Sequence, residues 1–237
     1  MPYLTNIKEF ILDILFPQIC LSCQTSLKSE EKSDGLCAFC LSKIILHTTL
    51  FCGKCRARLP DNTKICHKDS AYLLGATTNY EDQIKSLIHG FKYKSWSRLQ
   101  GPIKKLIIKY LQNLNLEFKN YIIIPIPLHK KRQQERGFNQ AILIAKIVSI
   151  ELKLPLEQSV LMRIKETKSQ AKIKDWDQKK ENLDNAFDLK APEKIKDKNI
   201  ILVDDVYTSG ATINEATKIL KANGAKKILA FVIAKAR

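Results

Sequence analysis

The stretch from Asn199 to Ile213 constrains this chain more than any other. Ile200-Ile201-Leu202-Val203 is a short apolar run rich in β-branched residues, the pattern of a strand buried on both faces of a parallel sheet. Asp204 and Asp205 then set two carboxylates at the strand's carboxyl end. The small-residue turn Thr208-Ser209-Gly210-Ala211-Thr212 opens onto a helical pattern with Ile213, Ala216, Thr217 and Leu220 on one face. Such a turn aims backbone N–H groups and hydroxyls at one point beside a helix N-terminus, which makes an anion site. Carboxylates next to an anion cradle suit a ligand with ribose hydroxyls beside a phosphate, together with a divalent metal. A bare Asp-Asp pair would read as two solvated side chains. The full order of apolar run, two acids and Thr-Ser-Gly-Ala-Thr is far more specific.

The flanking sequence alternates strand and helix patterns. Ala71 to Tyr80 reads as a strand, and Glu81 to Phe91 as a helix with Ile84, Leu87, Ile88 and Phe91 on one face. Ile103 to Leu114 reads as a second helix, with Pro102 suited to its first turn. Tyr121 to Pro127 is another buried-strand pattern, ended by prolines that cannot extend a ladder. A basic loop with Arg132 and Arg136 follows, then a helix running to about Leu152. Those arginines fall where a strand's carboxyl end meets a helix, the ligand side of an open α/β sheet. Ser159 to Ile164 reads as a short strand, and the polar segment 165–180 as a mobile loop. Gly224 stops the last helix before a final strand, Lys227 to Ala234. The alternation predicts an α/β fold, a parallel sheet with helices on both faces.

All seven cysteines lie between positions 20 and 66, as Cys20-x2-Cys23, Cys37-x2-Cys40, Cys52-x2-Cys55 and Cys66. Each C-x2-C pair fits a knuckle whose two sulfurs face one ion, and Zn²⁺ takes four such ligands tetrahedrally. Disulfides fit worse, because the count is odd. Cys20, Cys23, Cys37 and Cys40 close one site. Cys52, Cys55 and Cys66 form a second that needs a fourth ligand, either Asp69, which keeps the knuckle register, or the adjacent His67. Both sites read as closed and therefore structural. The expected division is a helix and Cys-rich zinc module over residues 1–70 and an α/β domain over 71–237.

The formal net charge of +16 favours polyanionic partners such as nucleic acid, phosphorylated metabolites or a membrane surface. Lys far outnumbers Arg, so a lysine-rich genome with solvated helix faces accounts for part of it. No apolar run approaches the roughly 18–20 residues of a membrane span. Residues 1–16 read as an amphipathic helix and not as a signal peptide, so a cytoplasmic location is expected.

With these pieces in order, the chain resembles the ComF (ComFC-like) family of competence proteins over nearly its whole length. The resemblance rests on the C-x2-C pairs, Phe91-Lys92-Tyr93, Ile124-Pro125-Ile126-Pro127 and Arg136-Gly137-Phe138-Asn139-Gln140. It extends to Arg163 with Thr167 and Gln170, Asn182 with Ala186-Phe187, and the 204–212 stretch, which resembles the phosphoribosyl-pyrophosphate (PRPP) loop of type I phosphoribosyltransferases. Three positions depart from the pattern. Asp69 stands where the family often has an eighth cysteine, Lys180 near a usual Arg, and Thr208-Ser209-Gly210 in place of Thr-Thr-Gly.

The resemblance implies a Rossmann-like type I phosphoribosyltransferase fold and a role in natural transformation, handling incoming single-stranded DNA. It implies that Asp204 and Asp205 hold the PRPP ribose with Mg²⁺, and that Thr208, Ser209, Gly210, Ala211 and Thr212 hold the 5′-phosphate. Arg132, Arg136 and Lys92 are the candidates for the pyrophosphate, and 165–180 for a closing loop. No side chain stands out as a general base toward an acceptor. The alternative reading is a zinc-ribbon module that grips single-stranded DNA, with PRPP as a regulatory ligand and aromatics such as Tyr93, Trp96 and Trp176 for stacking. Other competence proteins are further candidate partners.

Overall fold

The computed structural model describes residues 18–62, 66–93, 96–114, 116–165 and 185–236, with the side chains of 91–99 outside that description. The predicted N-terminal helix and the 166–180 part of the closing loop, with Trp176, lie outside it. Two compact units form, Met1–Ile45 with Glu81–Ile103, and Leu46–Tyr80 with Lys104–Arg237.

In the first unit, Ile19 bridges Ser26, and helix α1 (Ala38–Ser42) follows the second cysteine pair's first member. Cys20, Leu27, Leu36 and Cys40 are buried, a small interior for so polar a segment. The Glu31 carboxylate accepts from the Ala38 N–H at 2.6 Å and the Lys28 N–H at 2.9 Å, and these donors hold its pKa down. Helix α2 (Asp82–Tyr93) buries Ile84, Leu87 and Ile88 of the predicted stripe, whose fourth member, Phe91, has its side chain outside the described residues. Helix α3 (Trp96–Leu114) starts earlier than expected and carries Pro102 inside it. A proline removes only one helical hydrogen bond. Burial of Ile103, Ile107, Tyr110, Leu111 and Leu114 along the same helix outweighs that loss.

The second unit is built on a six-stranded sheet. Its strands are β1 (Leu50–Cys52), β2 (Arg58–Leu59), β3 (Leu73–Asn79), β4 (Tyr121–Pro125), β7 (Asn199–Tyr207) and β8 (Ile228–Lys235), in the order β2-β1-β3-β8-β7-β4. The β3, β8, β7 and β4 strands run parallel, and the β1–β2 hairpin adds to the β3 edge antiparallel, with Phe51 opposite Leu74. Sequence periodicity did not reveal this hairpin. The two remaining strands, β5 (Leu161–Arg163) and β6 (Phe187–Leu189), pair with each other.

Alternate residues of the parallel strands enter opposite cores. Leu74, Ala76, Ile122, Ile124, Ile200, Leu202, Ala230 and Val232 cluster with Ile213, Ala216 and Leu220 of helix α6 (Ala211–Ala222). On the other face Phe231 meets Tyr110 of α3, ring centroids 6.0 Å apart. Both faces of the central strands are therefore covered, as their unbroken apolar runs require.

The basic segment after β4 is more ordered than a loop. Lys130–Arg136 forms helix α4, closed by Gly137 at φ +76 with its N–H donating to the Gln133 carbonyl. The all-polar segment carries no apolar periodicity to announce a helix. Asn139 then caps helix α5 (Gln140–Leu152), its side-chain oxygen accepting from the Ala141 N–H at 2.9 Å. Its amide donates to the Ile126 carbonyl at 2.9 Å, tying the helix start to the end of β4.

Candidate functional site

The acids of the 199–213 stretch lie within β7 and not past its end. The β4 ladder stops at Pro125 opposite Val203, because the prolines offer no further donors; the Ile126 N–H makes a last bond to the Val203 carbonyl at 2.8 Å. The β8 ladder runs on through Asp204 opposite Val232 to Tyr207 opposite Lys235. From Asp204 onward one edge of β7 is therefore free of β4. Asp204 and Asp205 are both half-buried there, and the Asp205 N–H donates to the Asp204 carboxylate at 2.8 Å.

The turn that follows seats the first residues of α6. Thr208 is exposed, Ser209 half-buried and Gly210 buried at φ +82. A Cβ on Gly210 would stand 2.3 Å from the Tyr207 hydroxyl oxygen, so only glycine lets the turn close over that ring. The Ser209 hydroxyl accepts from the Ala211 N–H at 3.4 Å, while the Gly210 carbonyl accepts from the Asn214 N–H at 2.8 Å. Thr208 to Thr212 thus occupy one turn at the amino end of α6, beside the two carboxylates on the preceding strand.

Cationic side chains lie on neighbouring elements. Arg132 and Arg136 are half-buried on α4, and Arg136 donates to the Gln140 side-chain oxygen at 3.4 Å. Arg163 on β5 places its guanidinium carbon 5.4 Å from the Phe187 ring centroid. Burial and the nearby Arg132 bring Arg163 down to about 10, with Asp204 acting in the opposite sense. Arg132 and Asp204 thus both act on Arg163 electrostatically, although the sequence marked Arg163 only through a family motif. The Lys92 backbone belongs to α2, and its side chain lies outside the described residues.

Two donor sets gather among the cysteines. The Sγ atoms of Cys20, Cys23, Cys37 and Cys40 all lie within 4.8 Å of one another. In the second set, Cys52, Cys55 and Cys66 are joined by His67 within the same limit, with His67 Nδ1 3.6 Å from Cys52 Sγ. Asp69 instead pairs with Lys54, which lowers the Asp69 pKa. Burial raises the Cys52 thiol, but N–H groups of Cys55 and Lys54 and the His67 ring more than offset it and bring it to about 6. A bond to Thr25 brings Cys23 to about 6. Such thiols release their protons readily to a metal, and both donor sets fit tetrahedral Zn²⁺.

Four residues important to the turn were not legible as such. The Tyr72 hydroxyl meets the Tyr207 hydroxyl at 2.9 Å and donates to Asn214 Oδ1 at 2.7 Å. Burial, followed by the Tyr207 hydroxyl, pushes the Tyr72 pKa well up, so the phenol stays protonated. Arg56, directly after Cys55, donates to the Ser209 carbonyl at 3.1 Å. Only the position of Tyr207 inside the acid-and-turn stretch hinted at this network.

The parallel strands β4, β7 and β8, the acid pair on β7 and the glycine turn after it all lie within the span matched by the phosphoribosyl transferase domain family. The sequence pattern of that family matches residues 95–237, and the chain belongs to it. The double zinc ribbon domain pattern matches residues 11–69, so the N-terminal cysteines form a zinc ribbon whose donor sets support structural zinc. Over most of its length the chain is homologous to competence and DNA-utilization proteins. It is 28% identical to competence protein F of Haemophilus influenzae over 92% of this chain and 96% of that protein. Identity to competence protein ComFC of Bacillus subtilis is 29%, over 87% and 79% respectively. Identity to the DNA utilization protein YhgH of Escherichia coli is 26%, over 89% and 87%. No described helix is long and apolar enough to cross a membrane.

Proposed function

We propose that the chain binds PRPP with Mg²⁺ at the carboxyl end of β7 and acts in the cytoplasm in the handling of incoming single-stranded DNA. One observation carries the PRPP reading. Two half-buried carboxylates stand where β7 outruns β4, directly before a glycine-capped helix N-terminus. The Asp204 and Asp205 carboxylates accept the ribose hydroxyls. Thr208, Ser209, Gly210, Ala211 and Thr212 hold the 5′-phosphate with backbone N–H groups and hydroxyls. Arg132 and Arg136 neutralise the pyrophosphate, and Arg163 adds charge beside them.

The carboxylates fit Mg²⁺, a hard cation that binds through one or two carboxylates plus substrate phosphates. When bound, it would withdraw charge from the departing pyrophosphate. The arginines stabilise the same charge. Transfer breaks the ribose C1′–pyrophosphate bond and forms a bond from C1′ to an acceptor.

The +16 charge favours a second, compatible reading, in which the protein grips single-stranded DNA and PRPP is a regulatory ligand without transfer. Three measurements separate the readings: calorimetric PRPP titration with and without Mg²⁺, pyrophosphate release with candidate acceptors, and single-strand affinity against salt. PRPP binding with pyrophosphate release supports transfer. PRPP binding without release, with single-strand affinity falling steeply as salt rises, supports the regulatory reading. No PRPP binding contradicts the site assignment.

A further inference from the structure

The second cysteine knuckle is joined to the 208–212 turn by two chains of contact. The first runs through Gly53, between Cys52 and Cys55. A Cβ on Gly53 would stand 2.4 Å from the Tyr72 carbonyl oxygen and 2.8 Å from its ring, so the knuckle lies directly on Tyr72. Tyr72 in turn holds Tyr207, which precedes the turn, and Asn214, which follows it in α6.

The second chain runs through Arg56. Its backbone sits at φ +62, a conformation rare for long side chains, and its N–H donates to the Cys52 carbonyl at 2.9 Å. The guanidinium crosses to the turn, donating to the Ser209 carbonyl at 3.1 Å, and its carbon stands 5.4 Å from the Tyr207 ring centroid. A trans peptide holds its C=O and the following N–H in opposite directions. A donor fixed on the Ser209 carbonyl therefore fixes the direction of the Gly210 N–H, which then points away from Arg56. The side chain also lies over the ring against which Gly210 packs.

We propose that Arg56 is a positioning residue for the 5′-phosphate turn, and that the second cysteine cluster is part of that site because it holds Arg56 in place. The inference rests on the PRPP reading. It gives the second cluster a task beyond its own folding: Zn²⁺ held by Cys52, Cys55, Cys66 and His67 would set the backbone from which Arg56 reaches out. Lysine would keep the charge but lose the planar fork and the stacking on Tyr207.

The test is calorimetric titration of wild type, Arg56→Ala and Arg56→Lys with PRPP, ribose 5-phosphate and inorganic pyrophosphate, all with Mg²⁺, alongside zinc content and melting temperature. Arg56 is exposed, so neither zinc content nor melting temperature should change appreciably. Arg56→Ala should weaken PRPP and ribose 5-phosphate by about tenfold, the worth of one charge-assisted hydrogen bond. Arg56→Lys should recover part of that. Pyrophosphate, which does not use the turn, should bind all three proteins alike. Unchanged ribose 5-phosphate affinity in Arg56→Ala, or an equal loss for all three ligands, overturns the inference. Wild type that binds neither PRPP nor ribose 5-phosphate removes the parent reading instead.

Discussion

At the scale of single residues, Gly210 has a reason to be glycine that involves no ligand. Its φ of +82 belongs to the left-handed region, and its Cα faces the Tyr207 ring at a distance no Cβ tolerates. Gly210→Ala should therefore destabilise the apo protein as well as weaken phosphate binding. Left-handed strain for a non-glycine residue costs about 1–2 kcal/mol, and forced displacement of Tyr207 adds about 1–3 kcal/mol. Urea unfolding of the ligand-free variant measures this directly, and a midpoint equal to wild type would show that the turn relaxes without Tyr207. The residues around Gly210 also show where sequence reasoning stops. The acid pair and small-residue turn are contiguous and could be read directly. Arg56 and Ser209 are 153 positions apart, and Tyr72 and Asn214 are 142 apart, so no local pattern records that they meet.

Among the elements, those with strong periodicity were legible and those fixed by tertiary pairing were not. The β4 and β7 strands could be read because their apolar runs are buried on both faces, and helix α6 because its buried Ile213, Ala216, Thr217 and Leu220 recur at helical spacing. The β1–β2 hairpin could not, since strands of three and two residues leave no period to detect. Its position comes from the Cys52 knuckle and pairing with β3. Helix α4 was hidden by its all-polar sequence, yet it carries Arg132 and Arg136. Asn139 sets the direction of the elements around those arginines, since it caps α5 and binds the Ile126 carbonyl at the end of β4. Asn139→Ala should cost about 1 kcal/mol for the lost cap and about 1–3 kcal/mol for the buried carbonyl left unpaired. It should lower the melting temperature measurably and weaken pyrophosphate affinity, while Asn139→Asp should keep the cap alone. An Asn139→Ala protein as stable as wild type would mean that another group serves both partners.

For the whole molecule, one set of four cysteines and one of three cysteines with a histidine imply nearly two zinc ions per chain. Elemental analysis of unchelated protein should return that value, and a value near one would mean that the second set is degenerate. Metal release should unfold the ribbon, because a segment this polar draws much of its folding energy from its ligands. The proposed PRPP site stands or falls with the two acids of β7. Calorimetric titration of Asp204→Ala and Asp205→Ala with PRPP and Mg²⁺ is the most direct measurement. In the proposed complex each carboxylate would accept charge-assisted hydrogen bonds worth about 1.5–3 kcal/mol, so each variant should bind about ten- to a hundredfold more weakly than wild type. Their folds should be retained, since both side chains are half-buried at the open edge of β7 and outside the apolar core. PRPP affinities equal to wild type in both variants would contradict the site.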